Sequence, residues 1–332
     1  MVWVDNKPGL AIGIICKRQL VNSKAKYLIQ TLSHPLNYPH TDIREEDEIR
    51  PWLTWTIPRQ SHERITDPLY EEVDWETVRG SQLDDHIRAY GSILAAEAVE
   101  RGYTFFDRLP SPDKRKIFYS GMFLGAEKIW VGDALRLQHS SIAVLVVQQL
   151  AEKRTRFPGK IPEIVGDIYE FNEIPVPFVA DMEWPIAGLP ARMAADLLFR
   201  REAAVRAKHG IWCQWKLVEK NVTKGLNEIL GRWYETRTMV PFLAPAKYSR
   251  GLEKGLTFDA TEWLSGRCEG TQGMNRRMKD RIECLGRAVP PSITISRGLN
   301  GPPEDNTFPL EPQTQTSHNG EERVKSVETR RD

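Results

Sequence analysis

FYSGMFLG (Phe118–Gly125), KIWVGDALRL (Lys128–Leu137), SIAVLVVQQL (Ser141–Leu150) and EIVGDIYEF (Glu163–Phe171) are four short apolar runs, the second and fourth broken by a Gly-Asp step. Their lengths suit strands better than helices. The run Ile142–Val147 is rich in β-branched residues, which fit a pleated, buried surface. A basic loop carrying Pro and Gly, Lys153–Pro162, returns the chain to a further strand, Ile164–Tyr169. The stretch reads as a small, mostly antiparallel β module. Gly132-Asp133 and Gly166-Asp167 read as turn chemistry, with Gly supplying positive φ and Asp capping backbone donors. Paired catalytic carboxylates are the rarer meaning of such steps.

Working outward, helices flank this module. Ser81 is a good N-cap, with Asp84 three residues on, and Leu83, Ile87, Tyr90, Leu94 and Val99 share one face, so a helix is expected over 81–101. Gly102 is placed to close it in the left-handed conformation. A second helix is expected over Ala191–Lys208, with Met193, Leu197, Leu198 and Val205 inward and Gly210 ending it. Two aromatic strands follow, IWCQWKL (Ile211–Leu217) and GRWYETRTMVPFL (Gly231–Leu243), and then a short helix near Thr261–Leu264. Toward the N-terminus a strand (Leu10–Cys16) leads to the extended loop HPLNYPH (His34–His40). From about Gly298 the chain is polar and proline-bearing and cannot offset its ordering entropy, so the tail is expected to be disordered. The expected class is α+β: a mixed α/β N-terminal region over 1–110, a β-rich module over 111–290, and the tail over 291–332.

The 332 residues carry 46 Lys plus Arg against 45 Asp plus Glu, a net charge of +1. A chain so balanced can meet DNA only through a local patch. Four scattered cysteines, Cys16, Cys213, Cys268 and Cys284, form no C-x-x-C pair and suggest a reducing compartment. The patch Leu10–Ile15 is far shorter than a membrane span, so a soluble intracellular protein is expected.

Motifs for chemistry are missing. There is no Gly-rich phosphate loop, no G-x-S-x-G elbow and no His pair at i, i+4. His209 and Cys213 straddle the end of a helix and make a poor ligand pair, so neither metal nor cofactor is expected. Trp130, Trp212, Trp215 and Trp233 sit in or beside strands. Core packing is the expectation for them, and an aromatic cage for methylated lysine is the functional alternative. Trp52 and Trp55, in a proline-rich loop, are candidate partner anchors. Three basic groups could contact phosphates: Lys153, Arg154 and Arg156 in a loop; Arg192, Arg200, Arg201, Arg206 and Lys208 on a helix; and Arg276, Arg277, Lys279 and Arg281.

GMFLGAEKIWVGDALRL (Gly121–Leu137), AVLVVQQL (Ala143–Leu150) and IVGDIYEF (Ile164–Phe171) together resemble the C-terminal region of the fungal cryptic loci regulator family of transcription-silencing proteins. IRPWLTWTIP (Ile49–Pro58), VDW (Val73–Trp75), LPARMAADLLFR (Leu189–Arg200) and GRWYET (Gly231–Thr236) fit the same pattern. The resemblance implies a nuclear, non-catalytic scaffold in a heterochromatin repressor complex of the SHREC type, with histone deacetylase and nucleosome-remodeller subunits as partners. It also implies a module resembling a bromo-adjacent-homology domain. Family members carry a further N-terminal silencing segment without counterpart here, which leaves a fragment, a shortened paralogue or a truncated gene model open. No membrane partner and no small-molecule substrate is expected. The rival readings are a direct chromatin reader of nucleosomal DNA or modified histone tails, and an enzyme with a non-standard site.

Overall fold

Along Gly9–Val21, Ile12, Ile14 and Cys16 alternate inward and are almost fully buried, the period-two pattern of a strand with one covered face. This strand, β2, belongs to an antiparallel sheet with β1 (Val2–Asn6), β3 (Lys24–Thr31), β4 (Asp42–Glu45) and β5 (Ile49–Pro51) in the order β4-β3-β2-β1-β5. The computed structural model describes residues 2–6, 9–22, 24–36, 38–52, 69–79, 84–111, 113–138, 140–155, 160–177, 183–264 and 276–295. Trp55, Arg156, Cys268, the expected N-cap Ser81 and most of the expected tail lie outside the described residues.

Helix α2 (Asp84–Glu100) covers the first sheet, and Ile93, Leu94, Ala96 and Val99 meet Ile12, Ile14 and Leu32. The Ile12 amide, turned away from its strand neighbours, donates to Ser92 Oγ at 3.1 Å, so no buried donor is wasted there. Helix α1 (Trp75–Arg79) adds Trp75 and Val78 to the same core. The chain returns to this layer at its far end. In α6 (Arg281–Leu285) Cys284 and Leu285 join it, followed by Ala288 and Val289. Ser33 N donates to Ala288 O, and Tyr70 Oη donates to both Ser33 O and Arg287 O.

The second sheet holds the four runs that opened the sequence reading. Its strands are β6 (Gly102–Leu109), β7 (Lys116–Leu124), β8 (Glu127–Trp130), β9 (Ala134–Leu137), β10 (Ala143–Arg154), β11 (Lys160–Pro175), β12 (Ile211–Lys224), β13 (Ile229–Arg232) and β14 (Arg276–Arg277). The order is β12-β11-β10-β7-β6-β14, all antiparallel except the short β14–β6 pair. One edge of β10 is shared: its first half pairs with β9 and its last residues with β7. The sheet therefore curls, and Met122, Leu124, Ile129, Leu135, Leu145, Leu150 and Ile164 close into a second core. Helix α3 (Ala191–Arg206) covers the face formed by Val144, Val146, Cys213, Trp215 and Trp233, and α4 (Thr236–Leu243) and α5 (Pro245–Glu253) follow it. The architecture is α+β with a mostly β core.

Several expectations are corrected. Gly102 is the first residue of β6 and not a left-handed helix cap. A Cβ there would lie 2.7 Å from Cys284 Sγ, so the glycine serves the close approach of α6. Gly166-Asp167 sits mid-strand in β11 rather than in a turn. In α3, Met193 and Leu197 point inward, whereas Leu198 and Val205 are 41% and 36% exposed; the charged residues Asp196 and Arg200 take the inner face instead. The expected strand Gly231–Leu243 breaks after Arg232 and continues as α4 in spite of Pro241. Buried Asp196 Oδ1 accepts from Thr236 N at the helix start, and Met239 and Val240 pack with Ala260 and Leu264, so tertiary contacts override the β-branched local pattern.

Candidate functional site

Gly132 adopts φ +97° and lets the β8–β9 turn close. Asp133, the next residue, accepts from Trp130 N through Oδ2 at 2.8 Å, which is the turn chemistry expected of it. Its Oδ1 accepts from Arg192 Nη1 at 3.1 Å and Arg232 Nη2 at 3.0 Å, and Arg192 also forks onto Glu235. Glu127 takes the Tyr234 hydroxyl at 2.7 Å and Arg232 N at 2.9 Å. Fully enclosed Arg136 donates to Arg232 O and Leu264 O. This web ties the β8–β9 turn to α3 and to the segment entering α4.

A second buried group lies further along α3, on Asp196 and Arg200, about one and two turns past Arg192. Arg200, 1% exposed, donates Nε to Asp196 Oδ2 at 2.7 Å and Nη2 to Thr236 Oγ1 at 2.6 Å, with Asp259 Oδ2 at 3.4 Å. Its guanidinium also lies over the Phe171 ring, 4.5 Å from the centroid. Desolvation pulls its pKa down, but the carboxylates of Asp196 and Asp259 outweigh that and leave it raised.

Beside these charges Trp215 meets Trp233 edge to face, at 5.6 Å and 87°, and packs against a tilted Phe171 at 5.1 Å. They wall a cavity of about 50 Å³ rimmed by Ser140–Val144 and floored by Asp259. Trp233 Nε1 donates to Asp259 Oδ2 at 3.1 Å, while the buried Trp215 N–H is an unmet donor in the pocket wall. Cys213 stands close by, but burial pushes its thiol up to about 12, so it is no nucleophile near neutral pH. The acids here are held by arginines, amides or an indole. What this arrangement offers is a small, mostly apolar recess with aromatic walls.

Other aromatic clusters are capped by the chain's own cations. Lys128 Nζ sits 4.5 Å from the Trp130 centroid and 5.0 Å from that of Phe106, and Lys247 Nζ lies over Phe258 and Trp263. Trp130, Trp215 and Trp233 are buried, and Trp212 is partly so.

The candidate residues named from sequence scatter. Trp52 is 3% exposed, and its Nε1 donates to Glu100 Oε1 at 3.2 Å, which makes it a core anchor rather than a surface one. Arg192 and Arg200 spend their guanidinium groups inside the fold, because each faces buried carboxylates that would otherwise be uncompensated. Neither presents a free charge to a phosphate. Arg201 is partly buried and also partnered. Lys153 and Arg154, at the end of β10, are exposed, as are Arg206, Lys208, Arg276, Arg277 and Lys279. The buried acids and Arg136 gave no sequence signal, since isolated charges look solvated until the fold encloses them.

Near Lys153, Glu152 is enclosed and accepts from Tyr119 Oη at 2.7 Å, from Arg277, and from Lys160 at 3.3 Å. Burial raises its pKa, but Arg277 and Tyr119 outweigh this and leave it below the ordinary 4.5; Glu163 is lowered likewise, with Lys116 opposing burial. A carboxyl depressed in the folded state contributes stability that is present above its unfolded value and lost as pH falls through the folded one. The urea midpoint is therefore expected to drop between pH 5 and pH 3 (about the carboxylate window), and to drop less steeply in Glu152→Gln. A flat midpoint across that range would show these pairs to be energetically idle.

Residues 118–235 match the family model of the transcription-silencing protein Clr2. The match spans about a third of the chain, and over that stretch the chain is similar to Clr2-type transcription-silencing proteins. The stretch runs from β7 to the residue before α4 and holds Arg136, Arg192, Arg200, Arg232 and the aromatic walls of the recess, while Thr236 and Asp259 lie beyond it. A solved structure of Clr2 bound to the Clr1 C-terminus is similar over 89% of this chain, at 14% identity and a TM-score of 0.45; this chain covers 58% of that one. No curated protein matches the chain.

Proposed function

We propose that this protein is a non-catalytic scaffold subunit of a nuclear repressor complex that silences heterochromatin. It holds histone deacetylase and nucleosome-remodeller subunits near chromatin, and its β-rich region serves as a module of the bromo-adjacent-homology kind. A C-terminal segment of a Clr1-type subunit is the first partner to try. One observation carries the reading: the segment similar to Clr2 encloses acids spent on its own arginines beside a small aromatic-walled recess, a chemistry that suits docking. Such recesses take a partner's anchor side chain, and aromatic walls supply large contact area at low entropic cost.

The test is a reporter gene placed in a silent chromosomal region of the source organism. Deleting the gene for this protein is expected to switch the reporter on, and restoring the intact chain is expected to silence it again. A reporter that stays silent without the protein would remove the proposal.

A further inference from the structure

The strand end that carries Lys153 and Arg154 gathers cations from three parts of the chain. Lys116 faces Lys153 directly across β7 and β10, and Arg154 faces Lys160 across β10 and β11. Arg154 N donates to Arg115 O at 2.8 Å, which brings in the turn holding Lys114 and Arg115. Arg277, far along the chain, reaches the same place through Glu152.

Like charges set directly opposite on neighbouring strands destabilise a sheet. Only part of the repulsion is relieved. Glu163 bridges Lys116 at 2.7 Å and Lys153 at 3.5 Å, and enclosed Glu152 takes Arg277 and Lys160. Lys114, Arg115 and Arg154 are exposed and form no ion pair among the described residues. The lysine side chains of the patch stay open too, Lys153 at 53% and Lys160 at 38%. In a chain whose net charge is +1, this concentration of one sign does not follow from composition. Folding alone gives no reason to place Arg154 opposite Lys160.

We propose that this strand end is a contact surface for the phosphate backbone of double-stranded nucleic acid. The patch offers cations on adjacent strands roughly 5 Å apart, close enough for neighbouring side chains to reach successive phosphates. Its cations are spaced regularly by the strands, as the phosphates of a duplex are, and its described residues add no exposed ring for stacking bases. That favours a duplex held through its phosphates, without sequence preference. The inference goes beyond the scaffold role and stands apart from it: a chain that bound no DNA could still hold protein subunits together.

The test uses the full chain and a fluorescently labelled, mixed-sequence DNA duplex, followed by anisotropy from about 50 to about 200 mM potassium chloride. With about five phosphates engaged, the dissociation constant is expected to rise roughly five-hundred-fold over that range. Arg154→Glu with Lys160→Glu is expected to weaken binding at least about tenfold at low salt and to lower the salt slope by about 2. Because Lys160 also contacts Glu152, a second variant, Lys114→Ser with Arg115→Ser, leaves the ion pairs intact and is expected to shift affinity in the same direction. Arg154→Gln should raise the urea midpoint while weakening DNA binding, a combination that a purely structural arginine would not give. The proposal is overturned if the folded wild-type chain does not bind the duplex at low salt, if both folded double variants bind as the wild type does, or if poly-glutamate competes as well as DNA.

Discussion

Arg200→Ala is expected to cost about 3–5 kcal/mol of folding stability, the usual range for removing one partner of a buried ion pair. The guanidinium is 1% exposed and bonds Asp196, Thr236 and Asp259, so its loss strands at least one carboxylate away from water. The same change frees Asp196 from the contact that helps aim it at Thr236 N, the amide that opens α4. Urea unfolding followed by tryptophan fluorescence measures this directly, since Trp215 and Trp233 lie beside the site. The double change Asp196→Leu with Arg200→Met is expected to be milder than the single one, because it removes both fully enclosed charges and leaves only Asp259, which is part-exposed and still accepts from Trp233 Nε1 and Thr261 N. A loss below about 1 kcal/mol for Arg200→Ala would mean that water reaches the cluster and screens it. One practical consequence follows: Arg200→Glu cannot serve as a probe of nucleosome binding, since weakened binding would report a damaged fold.

Gly166→Ala is the second change with a large expected effect. A Cβ at Gly166 would lie 2.1 Å from Val146 O and 2.9 Å from its carbonyl carbon, backbone atoms that no rotamer change can move away. The register between β10 and β11 already shifts there, between Val147 and Gln149, so the strands cannot part without losing the ladder on both sides. The cost is expected at or above the upper end of the roughly 1–3 kcal/mol seen for overpacked cores. Gly132→Ala provides the control: its φ is +97°, but nothing lies within 4 Å, so only backbone strain of about 1–2 kcal/mol applies. Comparable urea midpoints for the two variants would contradict the packing account of Gly166.

Strand positions were easiest to read from sequence where the pattern was local. Ile142–Val147 showed its β-branched character and Met193 and Leu197 their helical spacing, and the structure places them in β10 and α3 with little change. Gly166 misled because a glycine before an aspartate signals a turn, whereas here the missing side chain makes room for a neighbouring strand's carbonyl. Residues 236–243 misled because a run with Thr, Val and Pro reads as extended, and the acid that starts the helix lies 40 residues away. The charged groups were least legible. Arg192 and Arg200 look in sequence like Lys153 and Arg154, and only the fold sends the first two inward and the others out. The partners of the exposed pair, Lys116 and Lys160, belong to different strands and become neighbours only through the antiparallel register.

Affinity purification of the tagged full chain from native nuclei decides whether, as proposed, it works by holding other proteins. Histone deacetylase and nucleosome-remodeller subunits are expected to be recovered together, in fixed proportion to the bait and still present after nuclease treatment. Recovery of histones alone, lost once the DNA is digested, or of neither kind of subunit, would contradict it.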